Sequence, residues 1–213
     1  MTYQSLRTRS VVASAGIVFL VVANVVFDAT GLMLELNDPS AVAAWSSAGA
    51  MLIFGTVIAA VLFLVWFNRA AWNLRALHPH APFQFTPGWC CGWFFVPLAN
   101  LVKPVQAMRE VWKYSDPDAV SGDVFLVEVP ALITVWWVAY IGSGIVGNAS
   151  SRIDDLHLST YVGMASTALS AVAAVCILSI MRTITANQET AFAAREKLRH
   201  LEDTLKHAAD VVG

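Results

Sequence analysis

The chain has 213 residues, 57% of them hydrophobic and 13% charged, with a mean hydropathy of +0.62 and a formal net charge of -2. A soluble domain needs roughly a quarter of its residues charged to cover its surface, so much of this surface has to face lipid. The slightly negative balance leaves no basic face for nucleic acid, and three cysteines, two of them adjacent, make no disulfide framework.

Arg7 and Arg9 lead an apolar run, Val11–Phe27, that exceeds the ~7–15 residues of a signal-peptide core and is closed by no small-x-small site. It reads as a retained first span, Ser10–Leu34. Asn24 and Asp28 fall one turn apart on it, with Asp28 far enough along to sit at the outer edge, where a carboxylate costs less than at the bilayer centre. A short acidic connection follows, and Ser40 is placed to cap a second span, Ala41–Phe67. Trp45 and Trp66 stand at its two ends, as an aromatic belt would. Apolar spacing at Phe67, Ala70, Leu74 and Leu77 carries this helix into water until Pro79 stops it.

The next stretch, residues 85–113, organises the chain. Gly88–Val102 is strongly apolar, yet as a straight helix it would reach only about 22 Å against a hydrocarbon core of ~30 Å. Pro97 and Pro104 interrupt it, and Lys103, Arg109 and Lys113 follow. These features predict a segment that dips into one leaflet or lies along it. Past Pro104, an apolar stripe of Val105, Met108 and Trp112 suits a short helix in the headgroup plane. A polar turn at Asp116–Asp118 and Ser121–Asp123 leads to a third span, Phe125–Asn148, with Pro130 near its first turn. Trp136, Trp137 and Tyr140 lie in the middle of this span, where aromatic residues fill a bundle core or line a pocket.

The fourth span, Leu158–Met181, carries two rows of small residues, Ser166/Ser170/Ala174 and Gly163/Thr167/Ala171, suited to close helix contact. Beyond Arg182 an amphipathic helix, residues 187–211, places Leu198, Leu201, Leu205, Ala208 and Val212 at a/d spacing, with Lys197 and Glu202 at g and e. Two readings fit this tail: a short parallel coiled coil, or a helix docked on the protein's own inner face.

The basic residues flank the N-terminus, the connection between the second and third spans, and the C-terminal tail; Arg152 alone lies on the other side. The positive-inside rule then gives a multi-pass protein with both termini cytoplasmic and two short outer connections. Were Gly88–Val102 a fifth crossing, Lys103, Arg109 and Lys113 would fall outside.

The stretch FNRAAWNLRAL and the run from Phe85 to Trp112 resemble the domain of unknown function 4328 family of bacterial membrane proteins. The likeness rests on Arg69, Asn73, Pro87, Trp89, Gly92, Trp93, Pro97, Asn100, Pro104 and Trp112, with Trp136-Trp137 similar to an aromatic pair in that family's next helix. The resemblance implies a multi-span bacterial protein and no particular activity.

Several groupings of reactive side chains bear on chemistry. His78, His80, Cys90 and Cys91 fit no zinc spacing, and no histidine lies inside a span where haem would need a pair. Asp116, Asp118 and Asp123 lack the glycine and glutamate of a calcium loop. No metal or cofactor is therefore expected. Glu128 is expected to pair with Arg69 or Lys103 and so tie down the broken segment, and Asn100 to satisfy backbone freed by Pro97 and Pro104. Trp89, Trp93, Asn100, Glu128, Trp136, Trp137 and Tyr140 form the candidate set for a hydrophobic ligand. The resulting expectation is an all-α, four-span protein without catalytic activity, acting as an oligomeric scaffold or accessory subunit among membrane lipids, as a homo-oligomer or with a membrane-protein partner. A small transporter or channel, or a binder of a lipid- or quinone-like molecule, is the alternative.

Overall fold

The computed structural model describes residues 2–35, 41–120 and 127–212. All regular structure among them is helical: α1 (Arg7–Glu35), α2 (Ala41–Leu77), α3 (Pro87–Gly92), α4 (Lys103–Ser115), α5 (Ala131–Ser150) and α6 (Leu156–Val212). Four of these, α1, α2, α5 and α6, are long and apolar enough to cross a membrane. The cap expected at Ser40 and the turn at Ser121–Asp123 lie outside the described residues.

The long helices pack as α2–α1–α6–α5, and small residues decide where. At Gly16 of α1 a Cβ would stand 3.0 Å from Leu62 Cδ1 and 3.5 Å from the backbone of Ala59 on α2, so the two helices meet at near-backbone distance. The two rows on α6 do the same work inside the chain. Ser166 donates to the carbonyl of Ser143 at 2.8 Å and fills the space above Gly147 on α5. The Gly163/Thr167 row meets Asp28 of α1, which accepts from the Thr167 hydroxyl. Both rows are thus occupied by neighbouring helices of the same chain.

Three expectations change. α5 begins at Ala131, not Phe125: residues 127–130 are non-helical and Pro130 is an extended N-cap (φ -65°, ψ 144°). A residue before proline is pushed out of the α region, so the helix starts after it. Trp66 is no belt residue. It is fully buried, and its indole donates to Thr185 of α6 at 3.3 Å. Finally, α6 is one unbroken helix of 57 residues with neither glycine nor proline between 164 and 212. The tail docks on the body as far as Arg195, through Gln188, Glu189, Ala191 and Arg195, but from Glu196 to His207 every side chain on it is exposed and stands clear.

The segment between α2 and α5 is compact and broken. Thr86 caps α3 by accepting from the Trp89 amide at 3.4 Å, and Pro87 occupies the first turn where no donor is missed. Two single 3₁₀ turns, Trp93–Phe95 and Ala99–Leu101, follow before α4. Between them the Ala99 amide donates to the Pro97 carbonyl at 2.8 Å across Leu98, whose φ of 64° and ψ of -42° make a γ-turn of the strained, positive-φ kind. Leu98 is 82% exposed and Phe95 73%.

Candidate functional site

Two clusters claim attention, at opposite ends of the broken segment's surroundings. The first is a polar knot at the end of the bundle where α2 emerges. Asn73 is fully buried and uses all four of its hydrogen-bonding positions. Its Oδ1 accepts from Arg69 Nε (3.1 Å) and the Gln4 amide (3.2 Å), while its Nδ2 donates to the Gln4 carbonyl (2.9 Å) and Gln188 Oε1 (3.2 Å). Gln188, also fully buried, passes the network on by donating to Ser115 Oγ (2.9 Å) and the Ala70 carbonyl (3.2 Å).

The N-terminal arm is strapped over this knot. Arg69 donates to the Thr2 carbonyl at 2.7 Å, the Leu6 amide donates to Glu189 at 2.9 Å, and Tyr3 stacks on Phe192 at 4.2 Å. Burial, with the Glu189 carboxylate beside it, raises the Tyr3 phenol above its ordinary range. Every group in the Asn73–Gln188 pair is satisfied, so the pair fixes how α2, α4, α6 and the arm meet and has no spare donor of its own for a ligand. Sequence reading marks Arg69 and Asn73 but misses Gln4, Ser115 and Gln188. One signal was available: Gln188 continues the apolar stripe Ile177, Met181, Ile184 on α6, and a glutamine there has to find partners inside.

The second cluster is an open groove of about 750 Å³ along α5. Phe94, Asn100 and Leu101 of the broken segment line one end, Trp137, Tyr140, Ile141 and Gly144 the floor, and Asn148 and Arg152 the other end. The Trp137 indole donates to the Leu101 carbonyl at 2.7 Å, which fixes the broken segment against α5. Gly144 faces open space, with nothing within 4 Å of where a Cβ would stand. The walls are mostly apolar, with polar groups at Asn100, Ser143, Asn148 and Arg152. Such a surface takes an elongated apolar body with a polar end.

Of the seven residues expected to form a ligand site, the groove unites three: Asn100, Trp137 and Tyr140. Trp136 is turned inward against Phe63 at 6.2 Å, and Trp89 and Trp93 lie against each other at 4.6 Å. Glu128 is exposed, and its expected partners are engaged elsewhere: Arg69 in the knot, Lys103 over the rings of Phe85 (5.8 Å) and Trp93 (6.0 Å). The carbonyl freed near the prolines is met by Trp137, whereas the Asn100 side chain lines the groove. Among the marked structural residues, Arg69 and Asn73 build the knot, Pro87 starts α3 and Pro104 sits in the first turn of α4. Gly92 leaves room for the Trp89 ring, 3.1 Å from where a Cβ would stand, Pro97 opens the γ-turn, and Trp112 packs on the core's edge.

The connecting elements carry the remaining titratable groups. Glu110 accepts from the Gln84 and Phe85 amides at 2.7 and 3.2 Å, and burial still lifts its carboxyl above the ordinary value. Burial pushes the Cys90 thiol up to about 12 and the Cys91 thiol up to about 11, which keeps both protonated and unreactive at neutral pH. Among the described residues no three of His, Cys, Asp and Glu converge as a metal site requires.

The family profile described as "Domain of unknown function (DUF4328)" matches residues 32–186, a span holding the groove and, of the knot, Arg69, Asn73 and Ser115 but neither Gln4 nor Gln188. Comparisons with curated proteins and with solved structures return no match.

Proposed function

The chain belongs to the DUF4328 family, and within it we propose that this multi-pass membrane protein works by holding a lipid-like amphiphile in the groove beside α5. The observation that carries this is the groove itself: apolar along its floor, polar at both ends, and left open by Gly144. An acyl or isoprenoid chain lies along Ile141 and Gly144, and the polar head meets Asn148 and Arg152. Binding, with no bond made or broken, is the whole of the activity proposed.

The same reading places the protein in a bacterial cytoplasmic membrane with both termini inside. Supporting it are Arg7 and Arg9 ahead of α1, and the cations of the broken segment and the α6 tail, against Arg152 alone at the other end. The segment around Leu98 then enters and leaves the bilayer by the inner face, with Phe95 and Leu98 in the acyl region. Thiol labelling in intact vesicles tests this. Cysteines placed at His80, Lys113 and Asp203 should share one face and a cysteine at Asp154 the other. His80 and Lys113 on opposite faces would refute it.

For the ligand, the protein is reconstituted with a phospholipid bearing a photoactivatable acyl chain, in parallel with a photoactivatable quinone. Crosslinks are expected on peptides covering Trp137–Arg152. A Cβ at Gly144 meets nothing within 4 Å, and Gly144→Trp should abolish them by filling the groove. Labelling by either probe that persists unchanged in Gly144→Trp refutes the groove as the site.

A further inference from the structure

Beyond Met181, α6 leaves the apolar part of the bundle and keeps going. Among the described residues its last anchor to the body is Arg195, whose guanidinium donates to the Ala76 carbonyl at 2.9 Å and so caps the end of α2. After that point the helix carries an apolar edge with nothing on it: Leu198, Leu201 and Leu205 are 59%, 52% and 69% exposed. A lone helical stretch of this length is marginal in water without packing.

The bilayer does not cover this edge. A helix bends sharply only at proline, glycine, a bulge or an inserted group, and α6 has neither proline nor glycine from 164 to 212. Leu198 therefore stands about 25 Å past Met181 along the helix axis, well clear of the acyl chains. The body does not cover it either, since every side chain from Glu196 to His207 is exposed.

We infer that the α6 tail pairs with the tail of a second copy as a short parallel two-stranded coiled coil. Two observations select that occupant. The three leucines step at 3 and 4 residues, the a/d seam of such a pair. Lys197 at g and Glu202 at e, five residues on, are complementary across the seam only when the two helices run parallel and in register. Membrane insertion supplies that arrangement, because two copies in one bilayer share one orientation and project their tails from the same face. The small-residue rows of α6 are already filled by α1 and α5, so the tail is where contact between copies falls. This inference does not depend on the groove or its ligand.

The full chain in nanodiscs or liposomes tests it by oxidative crosslinking. Leu201→Cys, on the seam, should form an interchain disulfide that neither the wild type nor Asp203→Cys, on the outer face, forms. By energy transfer between labelled copies in liposomes, Lys197→Glu and Glu202→Lys should each weaken association by about two- to fivefold. The double variant K197E/E202K should return to the wild-type value. Equal crosslinking at Leu201 and Asp203, no crosslink at either, or no recovery in the double variant each overturns the proposal. All of these substitutions lie on the exposed tail, so a folded body is expected in every case.

Discussion

The indole of Trp137 donates to the backbone carbonyl of Leu101 at 2.7 Å, and this bond ties the proline-broken segment to the helix that follows it. Leu101 needs the donor because the turn around it is too short to satisfy its own backbone. Trp137→Phe keeps the ring and removes the N–H. Loss of about 1–3 kcal/mol is expected, the cost of one unsatisfied carbonyl, read as a lower melting temperature in detergent. An unchanged melting temperature would show that the bond is dispensable.

Asn73 is the hub of the knot, and Asn73→Leu leaves Gln188 Oε1, Arg69 Nε and the Gln4 amide each short of a partner. The expected loss exceeds about 2 kcal/mol. Asn148→Ala provides the contrast. Its amide donates only to Gly144 of its own helix at 2.9 Å, so its removal should stay within about 0.5 kcal/mol. Equal effects of the two would show that burial of the knot contributes nothing.

Leu98 occupies a backbone conformation that costs a branched or bulky residue about 1–3 kcal/mol. Its side chain makes little contact within the protein. Glycine relieves the strain and a β-branched residue worsens it. Melting temperatures in detergent should therefore rank Leu98→Gly above wild type and wild type above Leu98→Val. The reverse order would contradict the γ-turn.

His78 lies half-buried beside Tyr114, its Nε2–H donating to the Tyr114 carbonyl at 2.9 Å. Burial lowers its pKa from the usual 6.5, against the pull of that carbonyl, and the charge of Arg195 lowers it further. With the folded value below the unfolded one, the unfolded chain takes up the proton first. Stability from this group is intact above about 6.5 and falls as the pH drops toward the lowered value. Glu110 acts in the opposite sense: its pKa is raised from 4.5, so its contribution is full at low pH and falls as the pH rises through the raised value. Melting curves from pH 7.5 to 5 should show an acid-side loss that His78→Gln reduces and Glu110→Gln does not. An identical acid-side loss in His78→Gln would assign it to another group.

Much of the fold was legible in the sequence because lipid imposes so few solutions. Four apolar runs of spanning length, the stop of α2 ahead of Pro79, and the break at Pro97 follow from helix length and proline chemistry alone. The partners across the chain were not. Nothing local to Asn73 points to Gln188, 115 residues away, and only the misplaced polarity of Gln188 on its stripe hints at it. The groove was half visible. Mid-helix Trp137 and Tyr140 marked α5, but the direction each ring faces depends on which neighbours α5 packs against, and those lie far away in the chain. The packing of α5 turned Trp136 toward Phe63 of α2 and left the Trp137 indole to hold the broken segment.

The strap over the knot bears on the order in which the protein is made. Leu6 precedes its acceptor Glu189 by 183 residues, so the ribosome releases the arm long before its seat exists. Until the last span is threaded and its continuation emerges, the Leu6 amide has only solvent to bind, while Gln4 finds its partner Asn73 on α2 much earlier. Closure of the arm thus comes at the end of biogenesis, and a loose arm is the mark of a chain whose insertion is incomplete.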